Sequence, residues 1–220
     1  LNALFNRDTG EVEASGLLGY AWNMGVKTFT LEDSQLSVDT FRREFKEVKT
    51  YWYDMERAMR RCVKTGKPTA HQVAGGPEIR FVMEGPFCKM ILPSKRPLYY
   101  LRPKIEPVDT PWGEKRMQIT YEGLDEKKRW RRQHTTPGKV VENADQAISR
   151  DLLVHGLKKA AKRGLDIRLH VHDQITGVAL KDKASKDLDI LIECMEESPW
   201  WADGLPLGSN GHTTPVFIKD

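Results

Sequence analysis

HVHDQI, residues 170–175, is the stretch on which the reading of this chain turns. Before it, Ile167, Leu169 and Val171 alternate with Arg168, His170 and His172, the period of two that marks a half-buried strand. After it, Ile175, Thr176, Val178, Ala179 and Leu180 form a second run rich in β-branched residues. The two runs predict a β-hairpin with Asp173 at its tip, although the turn lacks the Asn-Gly or Asp-Gly pair usual in tight hairpins. Asp is common in turns for local reasons, so Asp173 can be read as a turn residue. It can also be read as a carboxylate held rigidly between two strands, a good place for a metal ion.

Composition narrows the setting. The chain has 220 residues, 39% hydrophobic and 30% charged, which suits a folded domain with a real core rather than a disordered segment. No apolar run approaches the ~20 residues of a membrane span, and no secretory leader is visible. Cys62, Cys88 and Cys194 are odd in number and widely spaced, which argues against a disulfide framework or a Cys-rich zinc site and fits a reducing, cytoplasmic setting. The net charge is +4. Lys127, Lys128, Arg129, Arg131 and Arg132 flank Trp130, and Lys158, Lys159, Lys162 and Arg163 close a later helix. Such clusters are compatible with a phosphate backbone, although an ordinary solvated face is the commoner explanation for any one of them. The sequence starts at Leu1 rather than Met.

The pattern along the chain predicts an α+β fold. Residues 16–29 read as a helix with a bend, and residues 37–66 as one helix with Phe41, Phe45, Val48, Trp52, Met55 and Met59 on its apolar stripe. Ile79–Met83, Cys88–Leu92, Leu98–Leu101 and Met117–Tyr121 read as short antiparallel strands punctuated by prolines. A second strong helix is expected over 139–163, another over 184–197, and a short terminal strand over Val216–Lys219. The 139–163 helix has two faces. Val140, Val141, Ala144, Ala147, Ile148 and Leu152 form the apolar one, while Lys139, Asn143, Gln146 and Arg150 share an arc about 60° wide at ~100° per residue. Amides suit the donor and acceptor pattern of a DNA minor groove, and cations suit phosphates.

GKVVENADQAISRDLL (138–153), followed after a spacer by RLHVHDQI, resembles the C-terminal palm of family A DNA polymerases, the bacterial polymerase I type, and especially their phage versions. ILPSKRPLYY (91–100) resembles the family's Leu-Pro-Ser-Gly-Arg strand, with Lys95 where Gly is usual. FRREFKEVKTYWYDMERAMRRCVKTGK (41–67) resembles the helix after the fingers, and MEESPWWADGLPL (195–207) the closing segment. The resemblance divides the chain into an unmatched segment 1–15, the end of the fingers over 16–75, and the palm over 76–220. It implies a palm-type antiparallel sheet bearing a catalytic hairpin, packed by long helices. It further implies template-directed nucleotidyl transfer on primer–template DNA and dNTPs with two Mg2+ ions. Asp173 matches the second of the family's two metal-holding aspartates, His172 a residue near the primer end, and Gln146 a glutamine that reads the minor groove at the nascent pair. Lys139, Asn143 and Arg150 are candidates from the helix face and charge alone.

Two departures shape the expectation. Gln174 stands where the family has Glu, which makes the site less anionic while keeping an acceptor oxygen. The Asp-x-Ser strand with the other metal-binding Asp has no counterpart in residues 1–15, and Ala14 or Val12 stands where a triphosphate-binding Lys is expected, with Trp22 and Asn23 in place of a Tyr-Gly pair. The sequence therefore predicts a polymerase part that is inactive alone and gains activity from a separate N-terminal half, possessed of the remaining aspartate, in the host cytoplasm if phage-encoded. The alternatives are a non-catalytic nucleic-acid-binding remnant, or an unrelated metal hydrolase using His170, His172 and Asp173.

Overall fold

The computed structural model describes residues 3–5, 12–14, 16–72, 76–109, 114–125 and 127–216. The terminal strand expected at Val216–Lys219 lies outside them, apart from Val216. In chain order the elements are β1 (Ala3–Phe5), β2 (Val12–Ala14), α1 (Gly16–Asn23), α2 (Leu31–Glu44), α3 (Lys46–Thr65), β3 (Thr69–Gln72), β4 (Glu78–Glu84), β5 (Phe87–Ile91), β6 (Pro97–Asp109), β7 (Lys115–Leu124), β8 (Trp130–Thr135), α4 (Pro137–Lys162), β9 (Asp166–Val171), β10 (Gln174–Val178) and α5 (Ala184–Glu196), then a 3-10 turn at Trp200–Ala202. The class is α+β, as expected.

Strands β3 to β8 pair in sequence order as a six-stranded antiparallel meander, while β1–β2 and β9–β10 are separate two-stranded ribbons. Among the described residues the hairpin at residues 170–175 pairs with no strand of the large sheet, so the antiparallel sheet and the hairpin are both present without a palm sheet that joins them. Alternation along β4 sends Ile79 and Phe81 inward and leaves Glu78 and Arg80 at the surface. These inward residues, with Cys88, Met90, Tyr100 and Ile119, meet Met55, Met59 and Cys62 of α3 and Val140, Val141, Ala144 and Ala147 of α4. Two helices on one face of the sheet therefore make the core. Each large apolar side chain buried there contributes about 1.5–3 kcal/mol.

The expected helix over 37–66 is two helices. A capping box at Thr30 and Asp33 starts α2 earlier, and Phe45, with φ −111° and ψ 59°, divides α2 from α3. The break was hidden because Phe41 stays in contact with Phe45 (ring centroids 5.0 Å apart) and Trp52 (6.2 Å), so the apolar spacing is satisfied across it. Helix α1 stops at Asn23, and the Trp22 indole N–H donates to Phe29 O at 2.8 Å to close the turn that follows.

Strand β6 is far longer than the Leu98–Leu101 run expected. It crosses Pro103 at a register shift where Arg102 has φ 45°, and Pro107 is tolerated because β5 pairs only as far as Leu101 and leaves that side open. Strand β8 was not expected at all. Its arginines are balanced within the sheet: Arg132 reaches Glu122 at 3.1 Å, and Arg129 and Arg131 reach Asp125 at 2.9 and 3.0 Å.

The C-terminal half of α4 leaves the sheet and crosses α5. A Cβ at Gly156 would stand 3.1 Å from both Cys194 O and Met195 Cα, so glycine sets how closely these helices approach. The hairpin β9–β10 follows α4 directly and lies beside it.

Candidate functional site

The hairpin turn is as tight as a hairpin allows. Val171 pairs with Gln174, so His172 and Asp173 alone make the loop. His172 has φ 51°, the left-handed region that costs an L-residue roughly 1–2 kcal/mol and usually falls to Gly or Asn in such turns. His172 and Asp173 are exposed and Gln174 is half-buried. The sequence therefore placed Asp173 correctly at a rigid tip between two strands.

Helix α4 runs alongside. Arg150 Nη2 lies 3.4 Å from His170 Nε2, which sets this part of α4 against the hairpin. Ser149, Leu152 and Leu153 border the same groove as His172, Asp173 and Gln174. Gln146, one turn before Arg150, is exposed on that face.

The other two residues of the expected arc do different work. Asn143, half-buried, donates from Nδ2 to Tyr100 Oη at 3.0 Å, which ties one of its donors to the sheet. Burial pushes the Tyr100 phenol up to about 12, partly offset by the Asn143 hydrogen bond, so this phenol stays neutral at any working pH. Lys139 pairs with Glu142 at 3.1 Å at the start of α4, about 17 Å along the axis from Arg150 at ~1.5 Å per residue. The structure thus brings Arg150 to the hairpin through His170 and gathers His172, Asp173 and Gln174 at its tip, while Gln146 is exposed one turn before Arg150 and Lys139 lies about three turns from it.

What positions α4 was not legible in sequence. Asp151 accepts from Arg96 Nε at 2.6 Å and from Ser94 Oγ at 2.5 Å, and Arg96 Nη2 donates to Ala147 O at 2.9 Å. Ser94 and Arg96 belong to the turn between β5 and β6, so this turn grips α4 on the side away from its polar face. Lys95, at the tip of the same turn, has φ 71°, which explains why a glycine there would be the cheaper residue. Its Nζ lies 5.9 Å from the ring centre of the exposed Trp200.

The donor set does not by itself fit a pair of magnesium ions. Among the described residues no group of three or more His, Cys, Asp or Glu is placed to hold a metal ion. Asp173 is the single carboxylate of the turn, flanked by His172 and Gln174. His170, His172 and Asp173, the three ligands of the hydrolase alternative, are likewise not grouped to hold a metal ion.

Among the described residues no helix is long and apolar enough to cross a membrane. No family model matches the chain, and no solved structure matches it. The comparison with curated proteins finds the DNA polymerase of Bacillus phage SP02, 35% identical over 199 residues, which is 90% of this chain and 29% of that polymerase. A span of that length necessarily includes α4 and the hairpin. The chain is therefore related to a phage DNA polymerase and spans less than a third of its length.

Proposed function

We propose that this chain is the C-terminal portion of a family A, polymerase I type DNA polymerase, carrying one of the two metal-binding carboxylates of a nucleotidyl-transfer site. The observation that carries the reading is the pairing of the SP02 similarity with a two-residue hairpin tip that carries Asp173, on a hairpin that Arg150 of α4 meets at His170. In this reading Asp173 is one magnesium ligand, and the other carboxylate comes from a polymerase section outside this sequence. His172 and Gln174 flank the reacting end of the primer strand. Gln146 contacts the minor groove, and Arg150, held by His170, contacts the backbone. Asn143 keeps one donor on Tyr100, and Lys139 pairs with Glu142.

The test is reconstitution. The chain is mixed with a polymerase section bearing an Asp-x-Ser strand, and primer extension is followed with magnesium. Extension is expected only in the mixture, and Asp173→Ala is expected to abolish it. Extension that survives Asp173→Ala in the pair sinks the assignment.

A second reading, a nucleic-acid-binding remnant without catalysis, is favoured by Gln174 and by the solitary carboxylate of the turn. It predicts salt-dependent primer–template binding that no added section ever converts into extension.

A further inference from the structure

Helices α3 and α4 cover one face of the six-stranded sheet. Strand register fixes which residues share the other. Leu124 pairs with Trp130, Glu122 with both Arg132 and Leu101, and Lys89 with Tyr99, and paired residues point to the same side of a sheet. The alternate set faces the helices: Tyr100 and Cys88 are buried in the core and Tyr121 packs against it. Tyr99, Leu124 and Trp130 therefore project from the face away from the helices, and they are 56%, 60% and 62% exposed. Leu101 lies opposite Glu122, so two residues further along both strands Tyr99 comes level with Leu124 and Trp130. At ~4.8 Å per strand the two rings stand about 10 Å apart in one row.

The Tyr99 ring is held in place. Phe87 meets it edge-on, with centroids 5.6 Å apart, and Lys89 Nζ lies 5.4 Å from its centre. Trp130 follows the β7–β8 turn, and residues 124–134 contain five Lys and Arg against two Asp and Glu. Asp125 pairs with Arg129 and Arg131, and Glu122 with Arg102 and Arg132, which fixes the arginines, while Lys127 and Lys128 are exposed at the turn.

The chemistry of this face selects the occupant. An excess of cations attracts phosphates, and unpaired bases stack on exposed aromatic rings. In a duplex the base faces already cover one another, so a row of rings serves a single strand. We propose that this face binds single-stranded nucleic acid, with Tyr99 and Trp130 stacking on bases and Lys127 and Lys128 meeting phosphates. The platform goes beyond the nucleotidyl-transfer site: Asp173 belongs to a hairpin that meets α4, a helix of the covered side.

The test is fluorescence anisotropy of the full chain with labelled oligothymidylate of about 12 nucleotides and with a duplex of the same length. The single strand should bind more tightly than the duplex. Trp130→Ala and Tyr99→Ala should each weaken its binding about fivefold or more, and Trp130→Phe should restore most of the affinity. Both side chains are exposed, so the variants should keep their circular dichroism. Replacing Lys127 and Lys128 by Glu should flatten the dependence of affinity on salt, and Asp173→Ala should leave binding as it was. The proposal is overturned if the single strand does not bind, if the duplex binds equally well, if binding survives loss of both rings, or if Asp173→Ala removes it. It is also overturned if the ring variants spare oligonucleotide binding but abolish association with an added polymerase section, since the face then meets a polypeptide. Failure of primer extension in the reconstituted pair, with ring-dependent oligonucleotide binding intact, supports the platform and counts against the nucleotidyl-transfer site.

Discussion

Replacing Asp151 by Ala removes the group on which the turn between β5 and β6 holds α4. The side chain of Asp151 is 11% exposed, and it accepts from Arg96 Nε at 2.6 Å and Ser94 Oγ at 2.5 Å. Breaking a buried ion pair by deleting one partner costs about 3–5 kcal/mol, because the survivor is left uncompensated. Here the survivor can rehydrate: the Arg96 side chain is 42% exposed and keeps its bond to Ala147 O. That places the loss near the lower end, about 2–3 kcal/mol. For a chain of this size 1 kcal/mol moves the thermal midpoint by roughly 2–4 °C, so a fall of about 5–10 °C is expected. Urea unfolding followed by circular dichroism should show a lower midpoint with an unchanged slope. A double-mutant cycle with Arg96→Ala isolates the pair, and the coupling should exceed about 1 kcal/mol. A loss under about 0.5 kcal/mol for Asp151→Ala, or additivity in the cycle, would refute the idea that this turn fixes α4.

Three shorter predictions follow from the same contacts. Lys95→Gly should be more stable than Lys95→Ala by about 1 kcal/mol in urea unfolding, since both lose the Trp200 contact and only glycine relieves the φ of 71°. Tyr100→Phe leaves the Asn143 amide without its acceptor and should cost about 1 kcal/mol of stability while leaving primer–template affinity unchanged; Gln146→Ala should do the reverse, which anisotropy titrations with labelled duplex can check. Partial desolvation raises the Asp145 carboxyl above its ordinary value, so its ionised form weakens the fold at neutral pH and the penalty disappears as pH falls through the raised value. Asp145→Asn should therefore raise the melting midpoint at pH 7, by the equivalent of less than about 1 kcal/mol given the group's access to water, with no gain in acid.

What the sequence revealed and what it concealed divide along the range of the interactions. Period-two alternation placed the hairpin, and the stripe through Met55 and Met59 placed α3, because both signals need only a strand or helix and one buried face. The cluster around Trp130 showed its exposure but not its partners. Lys127 to Arg131 are exposed, as a solvated face requires, while the pairing of Arg131 with Asp125 and of Arg132 with Glu122 on β7 is not visible in the run itself. The face of α4 was half legible. Rotation at 100° per residue correctly grouped Lys139, Asn143, Gln146 and Arg150, but whether each faces solvent depends on what lies opposite. For Asn143 that is Tyr100, 43 residues earlier. Arg96 and Asp151 stand 55 residues apart, so no local pattern could join them.

Strain at the hairpin tip bears on whether Asp173 is only a turn residue. A two-residue hairpin loop built for its own sake would place Gly or Asn where His172 has φ 51°. Strain alone does not decide the matter, since Lys95, Arg102 and Lys128 also adopt positive φ. Two of those three have compensating contacts: Lys95 lies over the Trp200 ring and Arg102 pairs with Glu122 at 3.1 Å. The His172 side chain is exposed beside Asp173, at the tip of a hairpin that pairs with no further strand among the described residues. A strained, exposed tip is poorly explained by the stability of this chain taken alone. It is well explained if the tip's geometry matters once a nucleic acid is in place, because the strain is then offset by contacts made in the assembly. On that account His172→Gly should stabilise the isolated chain, and the same substitution should weaken the assembled polymerase.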